Sequence, residues 1–242
     1  MEKKHFLSSV WAKFYNNNKK LFKRGDRVVV GVSGGADSVV LLDFLAKLAQ
    51  KNRFSLYACH VNHGLRAAAV KDEKFTQRFC DSLGVECFVV RKNVKELAKK
   101  EKLSIEHAAR KARYQAFEEV CKKTKANYIA VAHHLDDHVE TILLNILRGT
   151  RAKGLMGIAR ERPLNKQVTI VRPLLGVRRA DVEAYIKFNK LKYVTDETND
   201  DDKYTRNWVR KNLLPVLEHK QPQIREHLNL ISEDLRRVLR ED

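Results

Sequence analysis

The sequence predicts an α/β fold, a mostly parallel sheet flanked by helices with a short helical C-terminal extension. Three observations carry that expectation. Short apolar runs alternate with longer stretches at helical spacing, as βαβ units require. The short runs are apolar throughout, as strands are when both faces are covered. The residues with chemical character follow the ends of those runs, where open parallel sheets bind ligands.

The elements follow in order. Arg27–Val32 is a strand, followed by a glycine turn and the helical stretch Ser38–Lys51. Leu56–Val61 is a second strand, Lys71–Leu83 a helix, and Cys87–Val90 a third strand. Ser104–Lys122 is a helix with Ser104 as its N-cap. Tyr128–Ala132 is a fourth strand, leading into a helix from Asp136 to Arg148, and Val168–Val171 is a possible fifth. After Pro222, the residues Ile224, Leu228, Ile231, Leu235 and Val238 recur at helical spacing. That stripe suits packing on the main domain, a dimer contact or the start of a further domain. The expected division is 1–215 for the catalytic domain with its N-terminal helix, and 216–242 for the helical extension.

Composition narrows the function. The chain has 242 residues, enough to bury a proper core without disulfides. Lys and Arg number 48 against 30 Asp and Glu, a net charge of +18, which a polyanionic partner such as nucleic acid would explain. The cysteines, Cys59, Cys80, Cys87 and Cys121, form no C-x-x-C pair, which argues against a cluster, a zinc site or a redox dithiol. No apolar run approaches the ~20 residues of a membrane span, and the first residues lack the apolar segment of a secretion signal. The sequence reads as a cytoplasmic protein without a membrane partner.

The strongest motif is Gly31-Val32-Ser33-Gly34-Gly35-Ala36-Asp37-Ser38. It follows a strand and opens a helix. Adjacent glycines let backbone N–H groups converge on an anion, and the helix N-terminus adds a favourable dipole. Ser33 and Ser38 supply hydroxyls, and Asp37 suits a hard cation such as Mg²⁺ beside the phosphates. No Gly-Lys-Ser/Thr follows, so it is not a Walker A loop. The string resembles the PP-loop of the N-type ATP pyrophosphatases, which cleave ATP between its α- and β-phosphates. Residues 33 to 38 are then the ATP-binding loop.

Four further strings select within that superfamily. They are His60-Val61-Asn62-His63-Gly64-Leu65-Arg66; Glu106-His107-Ala108-Ala109-Arg110-Lys111-Ala112-Arg113-Tyr114; Ala132-His133-His134-Leu135-Asp136-Asp137-His138-Val139-Glu140-Thr141; and Arg172-Pro173-Leu174-Leu175 with Asp196-Glu197-Thr198-Asn199, Arg206-Asn207, Arg210 and Leu214-Pro215. In this order they resemble the tRNA(Ile)-lysidine synthetase family over Arg27 to Pro215. The resemblance implies an adenine-nucleotide α-hydrolase-like, Rossmann-like fold. It implies ATP and Mg²⁺ as cofactors, L-lysine and a CAU-anticodon tRNA(Ile) as substrates, and often a homodimer. Two positions depart from the family pattern. Ala69 stands where a Ser would cap the next helix, a loss of about 1 kcal/mol. Arg151 stands where a Gly often follows Gly149-Thr150, which leaves the local backbone open.

Residue roles follow from the chemistry. Glu106, Arg110 and Arg113 share a helix face; Glu106 can pair with Arg110, and Arg113 suits bidentate contact with phosphate. His133, Asp137 and Glu140 also share a face. Lysine has an ordinary pKa of about 10.4, so its amine must be deprotonated before it attacks. Asp137 and Glu140 suit binding the ammonium and accepting its proton. His133 suits phosphate contact or proton transfer. The expected catalytic set is Asp37, Arg113, His133 and Asp137. His134 and His138 have metal-helix spacing but no Cys partner, so Mg²⁺ arriving with ATP is the expected metal. Arg178, Arg179, Arg206, Arg210 and Lys211 suit the tRNA backbone, and Trp208 suits the core more than a stacked base. Two competing readings stay open, a tRNA thiolase of the same superfamily and a non-catalytic tRNA-binding relic of the fold.

Overall fold

The computed structural model describes residues 11–65, 69–195 and 205–239. Six strands form one sheet in the order β3-β2-β1-β4-β6-β5. They are β1 (Arg27–Gly31), β2 (Ser55–Asn62), β3 (Glu86–Arg91), β4 (Tyr128–Ala130), β5 (Glu161–Pro163) and β6 (Thr169–Val171). All neighbours run parallel except β5, which pairs antiparallel with β6. β1 is central, with Val29 opposite Tyr57 on one side and Ile129 on the other. Strand order reverses between β1 and β4. A crevice opens there beyond the carboxyl ends of the strands, the usual place for a ligand in such a sheet.

The first described helix, α1 (11–18), packs Trp11 and Phe14 against Phe44 at centroid distances of 5.2 and 5.5 Å. Then come α2 (Ala36–Asn52), α3 (Ala69–Ser82), α4 (Val94–Glu101), α5 (Ile105–Thr124), α6 (Leu135–Leu147), α7 (Ala152–Leu155) and α8 (Arg179–Asn189). One sheet face is covered by a core that includes Val28, Val30, Leu41, Phe44 and Leu45; the other includes Val29, Phe117, Val120, Ile129 and Ile170. Phe117 lies so close to Gly31 that no side chain fits on β1 at that position.

Ser104 caps α5 as expected, accepting from the His107 N–H at 3.2 Å. α2 begins two residues before the expected Ser38, with Gly35 as its N-cap, so Ala36 and Asp37 form its first turn. α6 begins at Leu135 with His134 as N-cap. α3 begins at Ala69, directly after residues outside the described set. Arg151 is the N-cap of α7 at φ −92°, while Gly149 takes the positive φ of +73°, so the local backbone accommodates a side chain at 151.

Residues 205–220 run as α9 (Thr205–Trp208), a π-helical turn (Val209–Leu213) and α10 (Leu214–Lys220). The Leu214 N–H donates to the Val209 carbonyl, five residues back. Pro215 follows directly. Its ring lacks an N–H and crowds the preceding turn, and a widened turn relieves that conflict. α10 and α11 (Ile224–Val238) pack on α6 through Leu217, Ile224 and Leu228 against a core of Leu135, Val139, Leu143 and Leu144. The packed face of α11 continues to Ser232, whose hydroxyl donates to the Met156 carbonyl at 2.9 Å. Ile231 and Val238 of the expected apolar stripe are exposed, so only its first half is core. Trp208 is 45% exposed, against the expectation that it is core; the helix turns it outward while Val209 packs inward. No described helix is long and apolar enough to cross a membrane.

Candidate active site

The PP-loop is folded by its own hydroxyls. Ser38 Oγ donates to the Gly35 carbonyl at 2.9 Å and accepts from the Ser33 N–H at 3.2 Å. Ser33 Oγ accepts from the Gly35 N–H at 3.3 Å and lies 3.1 Å from Ser38 Oγ. Gly34 sits at φ +89°, where a side chain would be strained. The loop is fixed on its outer side by the Val194 N–H, which donates to the Gly34 carbonyl at 2.9 Å. Asp37 stands in the first turn of α2. Its Oδ1 accepts from Arg179 Nη1 at 2.6 Å, and among the described residues its Oδ2 has no partner.

The opposite wall of the crevice follows β4. His133 is reached there, and its Nδ1 accepts from Arg172 Nε at 3.3 Å. Burial pushes His133 down to about 4; the charge of Asp137 opposes that, and Arg172, Arg110 and Arg206 add to it. His133 is therefore neutral near pH 7, and with Nδ1 accepting, Nε2 carries the proton. His134 is buried among carboxylates, its ring nitrogens 3.5 Å from Asp136, 3.6 Å from Asp137 and 3.9 Å from Asp37. Burial opposes its charge, but the three aspartates prevail and raise it.

Asp137 accepts the His134 N–H at 3.0 Å and lies 3.7 Å from Arg210. Glu140, one turn on, has a side chain only 1% exposed. Both its oxygens accept from Arg210, at 2.6 and 3.1 Å. Burial raises Glu140 in spite of Arg210. His133, Asp137 and Glu140 thus gather on one side of α6, and the π turn supplies the cation between the two carboxylates.

Asp136, expected to make ordinary hydrogen bonds, is a junction of several. It accepts the Arg179 backbone N–H at 2.7 Å and pairs with Arg225 of α11, which also holds Glu218 at 2.6 and 3.0 Å. Burial works to raise Asp136, but His134, Arg179 and Arg225 hold it at about 2. The basic residues expected to face tRNA are largely engaged within the chain. Arg178 donates to Glu226 at 2.6 Å, Arg179 holds Asp37 and Glu183, Arg206 donates to Thr141 at 3.0 Å, and Arg210 holds Glu140. Lys211 is exposed on the π turn.

On α5, no ion pair joins Glu106 to Arg110 among the described residues. The Arg110 guanidinium lies 5.2 Å from the centroid of the Tyr114 ring instead, a contact one turn the other way along the helix. Arg113 is exposed, and among the described residues it has no hydrogen-bond partner. It lies near His63, which burial, Arg113 and His60 hold down at about 4. His138 turns away from the crevice, its Nδ1 accepting the Ile158 N–H at 3.0 Å. Arg66 and Asp196-Glu197-Thr198-Asn199 lie outside the described residues.

At the level of sequence Asp136 has an ordinary hydrogen-bonding role, which it has here, but no role is assigned to Arg172 or Arg225, which hold the site's side chains in place. Arg172 was visible as part of Arg172-Pro173-Leu174-Leu175, but nothing local tells that its guanidinium turns back onto His133. Arg225 carries no signal, because its partner is 89 residues away.

The family profile described as PP-loop domain matches residues 5–217. The tRNA(Ile)-lysidine synthase of Thermosipho africanus is 42% identical over 202 residues, which is 84% of this chain and 46% of that protein. The enzyme of the same description from Caldanaerobacter subterraneus is 44% identical over 199 residues, 82% of this chain and 42% of that protein. The chain therefore spans about half the length of the curated relatives it matches. Among solved structures, a U34-tRNA thiolase from Methanococcus maripaludis superposes with a TM-score of 0.81 at 21% identity, covering 96% of this chain and 80% of that one. An NH3-dependent NAD synthetase from Campylobacter jejuni superposes with a TM-score of 0.51 at 15% identity, covering 97% and 93%. At those identities the likeness is one of fold.

Proposed function

The chain belongs to the PP-loop domain family, and from that premise we propose that it joins L-lysine to the wobble cytidine of a CAU-anticodon tRNA(Ile) at the expense of ATP. In this reading residues 1–215 carry the chemistry and 216–242 brace it from behind α6. The observation that carries the proposal is the meeting, at the β1–β4 switch point, of the phosphate loop and the α6 carboxylates: the buried His134 lies 3.9 Å from Asp37 and 3.6 Å from Asp137.

Two steps balance. In the first, the cytosine O2 attacks the α-phosphorus of ATP, the α–β bond breaks and diphosphate leaves. In the second, the lysine ε-nitrogen attacks C2, the C2–O2 bond breaks, and AMP departs with that oxygen. The ammonium proton must be lost before or during the second step.

The loop N–H groups and the α2 N-terminus suit the phosphates of ATP. Arg113, with no hydrogen-bond partner among the described residues, suits the charge that develops at the α-phosphate. His133 is oriented by Arg172 to offer its Nε2–H to a phosphate oxygen. Asp37 suits Mg²⁺, because among the described residues one of its carboxylate oxygens has no partner beside the loop. Mg²⁺ bound there would neutralise charge on the departing diphosphate. Asp137 suits the lysine ammonium and its proton, and Glu140 joins it when the ammonium displaces Arg210.

The alternative reading, a thiolase, requires reactive sulfur. Burial raises both Cys59 and Cys121 to about 12, and the contact with Cys87, together with burial, raises Cys80, so these three thiols stay protonated. The half-buried Cys87 is lowered by its hydrogen bond with Cys80, but it lies on β3, at the far edge of the sheet from β4. The test is transfer of labelled lysine to a CAU-anticodon tRNA(Ile) transcript with ATP and Mg²⁺. We expect label in the RNA, dependent on ATP and lost in Asp37→Ala. AMP formed on RNA without lysine transfer would point to the thiolase reading, and no AMP at all to a binding relic.

A further inference from the structure

Several arginines of this chain are held by carboxylates. Arg178, Arg179, Arg210 and Arg225 each hold a carboxylate. Arg110 of α5 and Arg162 of β5 do not; among the described residues neither makes an ion pair. Both guanidiniums lie over one ring, that of Tyr114, at 5.2 and 5.3 Å from its centroid. The ring is fixed from below by edge contact with Phe117, centroids 5.9 Å apart.

Cation–π attraction favours each contact. It does not remove the repulsion between two guanidiniums sharing a ring. That repulsion is compounded by Arg172, which lies buried and donates to His133 and to the Ala159 carbonyl. The field is strong enough to act on Tyr114 itself. Burial would raise its phenol, yet the Arg162 hydrogen bond and the charges of Arg110, Arg162 and Arg172 bring it below its ordinary value. Glu106, one turn from Arg110, pairs with neither arginine. An exposed group of like charges around a π-face, without counter-ions among the described residues, fits an external polyanion that also presents flat bases.

We propose that Arg110, Arg162 and Tyr114 form the surface that takes the phosphodiester backbone of the tRNA anticodon loop beside the reacting base. The inference rests on the tRNA substrate of the proposed function. It places the RNA on the α5–β5 side of the crevice, next to His133, and leaves the PP-loop side to ATP. Free phosphate chemistry is common to both ligands, so the test separates them.

The intact chain would be titrated into a fluorescent CAU anticodon stem–loop RNA, without ATP or lysine, over about 50 to 300 mM salt. In parallel, α,β-methylene-ATP binding would be measured by calorimetry. Each of Arg110→Ala and Arg162→Ala should weaken RNA binding roughly three- to tenfold and lower the salt slope by about one. Both should leave the ATP-analogue Kd within about twofold, a difference of less than ~0.5 kcal/mol. Arg110→Lys and Arg162→Lys keep the charge and should keep the slope, which a merely structural loss would not do. Unchanged RNA binding overturns the proposal, as does absence of RNA binding by the parent chain. Equal loss of ATP-analogue affinity overturns it in favour of a nucleotide site. RNA binding that shows the expected slopes without any lysine transfer would refute the lysidine reaction and leave this surface standing.

Discussion

Removing Arg210 isolates the buried carboxylate of Glu140. That side chain is 1% exposed, and Arg210 supplies both of its hydrogen-bonding partners, at 2.6 and 3.1 Å. Breaking a buried pair from one side costs about 3–5 kcal/mol because an uncompensated charge remains. Arg210 is itself 45% exposed, so water enters when it is cut away. Arg206 also stands 4.0 Å from Glu140. Both facts reduce the figure, and we expect Arg210→Ala to lose about 2–3 kcal/mol near neutral pH. Glu140→Gln in the same chain should recover about half of that, because a neutral amide needs no counter-ion.

The pH dependence has a definite sign. Burial already raises Glu140 above its ordinary 4.5, and without Arg210 it rises further. A carboxyl raised in the folded state binds more protons folded than unfolded above that ordinary value. Stability is then lost as pH rises through the window. The deficit of Arg210→Ala relative to the parent should therefore shrink as pH falls toward 5. Urea unfolding followed by circular dichroism, for parent, both single variants and the double variant, measures each difference at matched pH. If the double variant is as unstable as Arg210→Ala at every pH, the charge of Glu140 is not what Arg210 compensates, and the reasoning fails.

Two further outcomes follow from burial. Gly31→Ala drives a methyl into Phe117 and should cost about 1–3 kcal/mol of overpacking, partly relieved by Phe117→Leu; equal urea midpoints for Gly31→Ala and parent would contradict the packing of β1 on α5. His138, 2% exposed, is held at about 4 by burial and by Arg236, against an ordinary 6.5, so the folded chain binds fewer protons than the unfolded chain between those values. Stability should fall as pH drops through that window, by up to about 3 kcal/mol from this residue, and His138→Gln should flatten the fall relative to the parent; parallel pH curves for the two would refute it.

Much of the fold was legible because it is local. Apolar runs located β1 to β4, and Ser104 announced α5. The PP-loop was legible for the same reason, since Gly34, Gly35, Ser33 and Ser38 fold upon one another within six residues. α4 and α8 were passed over although both carry capping signals. Asn93 accepts the Glu96 N–H at 3.2 Å, and Asp181 accepts the Arg178 N–H at 3.3 Å. α4 is so rich in Lys and Glu that its apolar face reduces to Val94, Leu97 and Ala98. β5 is three residues long and exposed throughout, so no apolar run marks it. The site was legible in its residue types but not in its pairings. Helical spacing grouped His133, Asp137 and Glu140. It gave no hint that Arg210 would reach them across 70 residues, nor that Trp208, at the end of α9, would face solvent.

The junction at Asp136 has a temporal side. Its carboxylate receives Arg179 from 43 residues downstream and Arg225 from 89 residues downstream, and Arg179 in turn reaches back 142 residues to Asp37. During synthesis the phosphate loop emerges early and can fold on its own hydroxyls. The carboxylates around His134 wait for counter-charges made later in the chain. Until Arg225 leaves the ribosome and α11 docks, Asp37, Asp136 and Asp137 crowd one imidazole without their full complement of arginines. The corner around Asp136 thus closes only after residue 225 has been synthesised and α11 has docked on α6.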